Sequence, residues 1–407
     1  MRPPFLITIA ASGFVLALSC APAHGLGIAI MNQSPEGYGR GNAYSATADS
    51  PSAIFYNPAG ITQLPGTSVE LGYYGTVYDS NVRPAIGGNY DSSNKFEGVP
   101  DFYATFAVPD TRFSFGLGVY SPFGLGTAYP DNTPFRSLAT SATLMYITLN
   151  PVVAYKVTKT FSLAAGPTIN YANADFRRGI LTPGDEFRFG GDGFACGFSL
   201  GAMWQPTEQH SFGVTSRSAT HMDLYGHVDT TSLTTFLFPS SRERATGNID
   251  FPQQIIGAYS FRPTPQWNLE VDVNWTDWQQ DKGITVREAN GTNVLDVFNW
   301  HSEFTISAGV TRTFDNGLSL SAGFFYCPGA TPDAYYTPSV PDTDLYAFTW
   351  GVDYRFNKNW KVGLSYGVAL GENHTVTGSA STLAGQNADG KYGFNGQAFT
   401  VGVTYSF

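Results

Sequence analysis

A chain of 407 residues with a formal net charge of −10 has room for two or three soluble domains, yet only 13% of it is charged while 15% is aromatic, about half the charge an ordinary soluble domain carries. The acidic balance excludes nucleic acid or an anionic lipid surface held by bulk attraction. Beyond the first 23 residues no uninterrupted apolar run is long enough for a spanning helix, which excludes a polytopic helical protein and leaves only a closed barrel for crossing lipid.

Residues 1–23 contain a single basic residue, Arg2, an apolar run from Phe5 to Leu18, and small residues at Ala21 and Ala23. This is the pattern of a secretory signal peptide. Cys20 raises a lipoprotein signal as a rival, but Ala17 and Leu18 stand where such a signal prefers leucine and then a small residue. Residues 24–65 are rich in Gly, Ser and Ala and too irregular for a strand pair. They read as a plug, or hatch, inside the wide lumen of a barrel formed by residues 66–407.

From residue 66 onward, alternating apolar and polar positions recur in segments of roughly ten residues, the length a tilted strand needs to cross a bilayer. The last segment, 398–407, sets Phe399, Val401, Val403, Tyr405 and Phe407 against Thr400, Gly402, Thr404 and Ser406, a period of two. Short polar turns such as Pro109-Asp110-Thr111, Asp315-Asn316-Gly317 and Asn357-Lys358-Asn359 join the segments in hairpins. Longer polar stretches alternate with them, including 81–99, 177–193, 230–247, 331–344 and 379–397. The count is 14, an even number with both ends on the short-turn side, as in bacterial outer-membrane barrels. The predicted fold is therefore all-β: a 14-stranded antiparallel transmembrane β-barrel with an N-terminal hatch in its lumen. A soluble sandwich or propeller would need two buried faces or a blade repeat, and no period of roughly 40 residues is present.

The strands also say which face meets lipid. Leu269, Val271 and Val273 alternate with Glu270 and Asp272; Val352, Tyr354 and Phe356 alternate with Asp353 and Arg355. A charge against acyl chains costs up to several kcal/mol, so Glu270, Asp272, Asp353 and Arg355 are expected in the lumen, and outward Trp and Tyr near strand ends suit interfacial girdles. Cys196 and Cys327 take registers that point them to opposite faces, against a disulfide. Some strands are apolar on both faces: Met145, Ile147 and Leu149 alternate with Leu144 and Tyr146. That favours a ligand pocket over a water-filled pore, with a hydrophobic contact to the plug as the alternative for any single side chain.

Gly39-Arg40-Gly41-Asn42-Ala43-Tyr44-Ser45 followed by Asn57-Pro58-Ala59-Gly60 resembles the hatch of the FadL family, outer-membrane transporters of long-chain fatty acids and aromatic hydrocarbons. The resemblance continues in order through Pro122-Phe123-Gly124, Asn150-Pro151-Val152, Ser216-Arg217-Ser218, Trp275-Thr276-Asp277-Trp278 and Pro341-Asp342-Thr343-Asp344. It implies a 14-strand barrel blocked by the hatch, capture of substrate outside, an internal apolar pocket, and a sideways exit where the third strand kinks inward. Gly116, Gly118 and Gly124 with the donor-less Pro122 weaken that strand as a bend requires; alternatively Gly116 and Gly118 merely give the hatch room. Asn57 and Pro58 suit a turn that holds the hatch next to Ala59, and Arg40 is a candidate partner for Glu270 or Asp272. For a fatty acid carboxylate the family's basic residue after the fifth strand is matched best by Arg178, whose guanidinium suits a planar carboxylate. No second basic residue stands among Asn299, Trp300 and His301, which leaves aromatic hydrocarbons or alkanes as the alternative substrates.

Gly197-Phe198-Ser199-Leu200-Gly201 fits a nucleophile elbow, but it lies inside an alternating strand rather than at a strand-to-helix turn, and His221 and His227 have no spacing that pairs them with Ser199. The chain is expected not to be an enzyme, with an outer-membrane lipid hydrolase or a surface adhesin or phage receptor as rivals of other classes. No cofactor or metal is expected. The expected partners are a hydrophobic small molecule, outer-membrane lipid and lipopolysaccharide, and the barrel assembly machinery through Phe407, with the protein as a monomer.

Overall fold

The structure is a computed structural model and describes residues 28–93, 96–232, 240–382 and 384–407. The expected signal peptide therefore lies outside the described residues. One continuous sheet closes on itself as 14 antiparallel strands. They are β1 (Thr67–Pro84), β2 (Phe96–Ala107), β3 (Phe113–Tyr120 and Gly124–Ala128), β4 (Ser141–Lys156), β5 (Phe161–Arg178), β6 (Glu186–Trp204) and β7 (His210–Arg217 and Thr220–Thr231). The second half is β8 (Ser241–Phe251 and Gln254–Thr264), β9 (Trp267–Thr276 and Gly283–Glu288), β10 (Asn293–Val297 and Glu303–Thr313), β11 (Leu318–Cys327), β12 (Leu345–Arg355), β13 (Trp360–Gly371) and β14 (Gly390–Ser406). Closure is by β1 on β14, from Ser68 opposite Ser406 to Pro84 opposite Gly390.

The alternation read from the sequence sorts the two faces. Leu269, Val271 and Val273 are 43%, 47% and 39% exposed on the outside, whereas Glu270 and Asp272 between them are 2% and 3% exposed. Outward apolar side chains meet lipid, and a charge among them would be expelled. Cys196 points out and Cys327 in, and both are free. Among the described residues no helix is long and apolar enough to span a membrane. The tight hairpin turns place Asp110 at φ 58 and Gly317 at φ 87, left-handed values that Asp and Gly tolerate best.

Two features differ from the sequence reading. The strands run further, since β5 reaches Arg178, β6 begins at Glu186 and β14 begins at Gly390. In these extensions the alternation of polar and apolar positions breaks down, yet the backbone ladder persists. Secondly, β3, β7, β8, β9 and β10 are each interrupted along their length, where the sequence reading had single strands.

Candidate functional site

Residues 28–65 pack against the inner wall. After an extended start they form the short helices α1 (Pro35–Tyr38) and α2 (Ala53–Tyr56) and a 3-10 turn, Pro58–Gln63. Tyr38, Tyr44, Ile54, Tyr56, Ala59 and Ile61 are almost wholly buried. Segments this short have little stability of their own, and the wall holds them. Asp272 accepts the backbone amides of Tyr44 (3.2 Å) and Ser45 (3.0 Å), and Glu270 accepts those of Ala46 (2.6 Å) and Thr47 (3.2 Å). The Thr47 hydroxyl donates to Glu270 as well. Two carboxylates expected in the lumen thus clamp four consecutive backbone N–H groups.

Asn57 is the turn residue its sequence promised. Its side chain accepts from the Ala59 amide (3.2 Å) and donates to the carbonyls of Ser45 (2.8 Å) and Ala202 (3.0 Å), while Pro58 starts the 3-10 turn. Glycine on the wall makes room: a Cβ on Gly201 would lie 2.5 Å from Asn57 Oδ1.

Arg40 departs from expectation. It does not bond to Glu270 or Asp272, which the backbone amides already occupy; its Nε and Nη2 are buried without hydrogen-bond partners, and the guanidinium lies 5.4 Å from the Tyr44 ring. It lines a polar cavity of about 410 Å³ together with Glu36, Asp353, Arg355 and Lys361. Lys361 is ion-paired with Glu36 of α1. Asp353 and Arg355 face inward as expected, at the short-turn end.

The third strand is broken, but only part of the expected set makes the break. Gly116 and Gly118 lie in regular ladder, opposite Val152 and Asn150. A Cβ on either would come within 2.8 Å and 2.9 Å of Ile54, so they make room for α2 and do not bend the strand. The break is at Ser121-Pro122-Phe123, with Tyr120 opposite Thr148 and Gly124 opposite Met145. Four steps on β3 thus match three on β4, a one-residue bulge.

The consequence is a seam in the wall. β2 pairs with β1 along its whole length but with β3 only over Phe102–Ala107. Phe96 to Asp101 and the second half of β3 form no ladder with each other, and the seam is closed above by the Ser93 amide on Ala128 O (2.9 Å) and by the Tyr78 hydroxyl on Gly126 O. Residues 28–30 occupy the free edge of β3: Ile30 N donates to Pro122 O (2.8 Å) and Gly124 N to Ile28 O (2.9 Å). Sequence reasoning missed Gly98 and Pro100 on the facing strand, residues that belong at sheet edges.

Inside the seam the lumen is greasy. Phe123, Leu144, Tyr146, Met222, Phe251, Trp278, Phe298 and Trp300 belong to one buried cluster, with Phe298 and Trp300 stacked at 4.7 Å. A cavity of about 30 Å³ lies at its edge, bounded by Tyr120, Phe123, Tyr146 and Arg217. Arg178, by contrast, stands at the outer end of β5, ion-paired with Asp296 at 3.0 Å and stacked on Phe187 at 5.0 Å. It thus stands at the outer margin of the apolar tract, against Phe187, with its charge already paired. In the outer loops, burial alone would raise the Asp185 carboxyl, but the amides of Thr182, Ile180 and Leu181 and the Arg136 guanidinium (2.7 Å) hold it well below the usual range.

Ser199 faces inward and its hydroxyl donates to Asn150 Oδ1 (3.1 Å), whereas His221 faces outward on Asp250. Ser199 and His221 are therefore not in contact as nucleophile and base.

A sealed cylinder with an oily exterior, a greasy interior tract and a segment bound inside it defines an outer-membrane transport barrel. Residues 15–407 match the family described as "Outer membrane protein transport protein (OMPP1/FadL/TodX)", and the chain belongs to it. The long-chain fatty acid transport protein of Escherichia coli O6:H1 is 25% identical over 90% of this chain and 92% of its own length. A crystal structure of a Pseudomonas aeruginosa FadL homologue matches with TM-score 0.85 at 20% identity, covering 94% of this chain and all (100%) of that one. The Ralstonia pickettii toluene transporter TbuX matches at TM-score 0.73 and 15% identity, over 93% and 100%. The protein is therefore an outer-membrane transport protein of this family, not an enzyme.

Proposed function

We propose that the protein carries long-chain fatty acids inward and releases them sideways into the membrane through the seam between β2 and β3, with residues 28–65 acting as the hatch that bars the axial route. The observation that carries this is the unladdered edge from Phe96 to Asp101 facing the broken strand at Pro122. An apolar chain passing from the greasy tract to the bilayer through that seam never meets water, whereas the axial route runs into the hatch and the charged cavity beneath it. Aromatic hydrocarbons are the second reading, favoured by the stacked Phe298 and Trp300 where a second basic residue was expected.

The test is uptake of labelled oleate and labelled toluene by a host lacking its own such transporter, with and without this gene and with Ser121 deleted. Removing one residue restores equal step counts on β3 and β4, so the ladder can run on and the seam can close. Gene-dependent oleate uptake that the deletion abolishes supports the proposal; uptake indifferent to the deletion refutes the lateral route.

A further inference from the structure

Arg217 ends the first half of β7, just before that strand is interrupted, and its side chain points into the lumen beside the broken part of β3. Its Nη1 donates to Gln254 Oε1 at 2.9 Å, its Nη2 donates to the Phe55 carbonyl of α2, and its guanidinium sits 4.0 Å from the Phe55 ring centroid. Every one of these partners is neutral. Among the described residues no carboxylate lies within ion-pairing distance of Arg217, although Arg136, Arg177, Arg178, Arg188 and Arg242 all have one. Tyr120, Phe123, Tyr146 and Gln254, which share its cavity, carry no charge. A guanidinium half withdrawn from water and left without an anion carries an uncompensated desolvation cost, and it stands where the apolar tract meets residues 28–65.

We propose that Arg217 is the carboxylate-binding residue of the transport path. A long-chain fatty acid would lie with its tail among Phe123, Tyr146 and Phe251 and its head group on the Arg217 fork. A carboxylate accepts two charge-assisted hydrogen bonds from that fork and outcompetes neutral oxygens. Binding would therefore draw Nη2 away from the Phe55 carbonyl, so that arrival of the head group loosens the end of α2. Neither a hydrocarbon nor a fatty alcohol can make this exchange. The inference rests on the transport reading above and assigns its substrate class to one side chain.

The experiment compares oleate with oleyl alcohol, which has the same tail and no charge, at a pH where oleate is ionised. Binding to the purified, detergent-held full chain is measured by displacement of a fluorescent fatty acid, for the wild type, R217Q, R217K and R178Q. Oleate should bind the wild type more tightly, and R217Q should erase that preference, a loss of about ten- to hundredfold for oleate with oleyl alcohol unchanged. R217K should restore part of it, since an ammonium lacks the planar fork. In wild-type protein, a carbonyl-13C-labelled oleate should stay ionised to lower pH when bound than when free, a readout that needs no variant to fold. Unchanged oleate preference in R217Q, loss of preference in R178Q instead, or a bound carboxyl that titrates like the free acid overturns the assignment while leaving transport intact. If neither ligand binds the wild type, the transport reading itself fails.

Discussion

Glu270→Ala is the sharpest perturbation of the clamp that holds residues 28–65. The side chain accepts the amides of Ala46 and Thr47, at 2.6 and 3.2 Å, and the Thr47 hydroxyl, and is 2% exposed. Its removal leaves two amide donors without an acceptor and the Thr47 hydroxyl with only a long bond to Ser260 Oγ at 3.4 Å, and a buried unsatisfied donor costs about 1–3 kcal/mol. Water from the adjoining polar cavity, which Thr47 lines, can reach them, so the low end applies and the loss is about 3 kcal/mol. At about 1.4 kcal/mol per factor of ten, hydrogen exchange of the Ala46 and Thr47 amides should quicken about a hundredfold, with the β9 ladder unchanged. Glu270→Gln keeps an acceptor oxygen and should lose about tenfold or less. Equal protection in wild type and Glu270→Ala would refute the clamp.

Gly118→Val should push on Ile54, whose Cγ2 would lie 2.9 Å from the new Cβ, destabilising α2 by about 1–3 kcal/mol through overpacking; exchange of the Ala53 to Tyr56 amides reads it. Asn57→Ala removes one acceptor and two donors from buried partners, a loss of about 2–3 kcal/mol, and limited proteolysis in detergent should cut within residues 28–65 faster. Asp185 has a folded-state pKa below the ordinary 3.8, so its stabilisation of the outer loop is complete above that value and drains away as pH falls through the folded value. The Ile180, Leu181 and Thr182 amides should therefore lose protection in acid, after correction for intrinsic exchange, and Asp185→Asn should lose part of it already at neutral pH.

What was legible in the sequence is what local periodicity carries. Leu269 to Asn274 declares its two faces because each side chain's direction follows from its neighbour's, and Asn57-Pro58 declares a turn because the bonds it makes to Ala59 are local. The breaks were harder. At Ser218-Ala219 the alternation continues on both sides and nothing marks the interruption, while Pro252 stands in the other break and was not read as one. Pro122 and Gly124 did mark theirs, but Gly116 and Gly118 carry the same residue type for another reason, the approach of Ile54, and only the packed structure separates the two. The seam also needed its other lip: Gly98 lies in what read as a long polar stretch, 81–99, and Pro100 just beyond it. Charge pairing was least legible: Arg178 looked available because Asp296 is 118 positions away, and Arg217 looked ordinary because its lack of a carboxylate is a property of the fold.

The central claim is that substrate leaves through the wall, and photocrosslinking tests it most directly. A fatty acid carrying a diazirine near its tail end, activated during uptake in membranes, should label Phe96, Pro100 and Phe102 on the lipid-facing lip of β2 and Phe123 on the opposite side of the seam. Labelling concentrated on Arg262, Asp315 and Arg355 around the charged cavity, with the seam unlabelled, would mean the substrate travels straight through and would contradict the account.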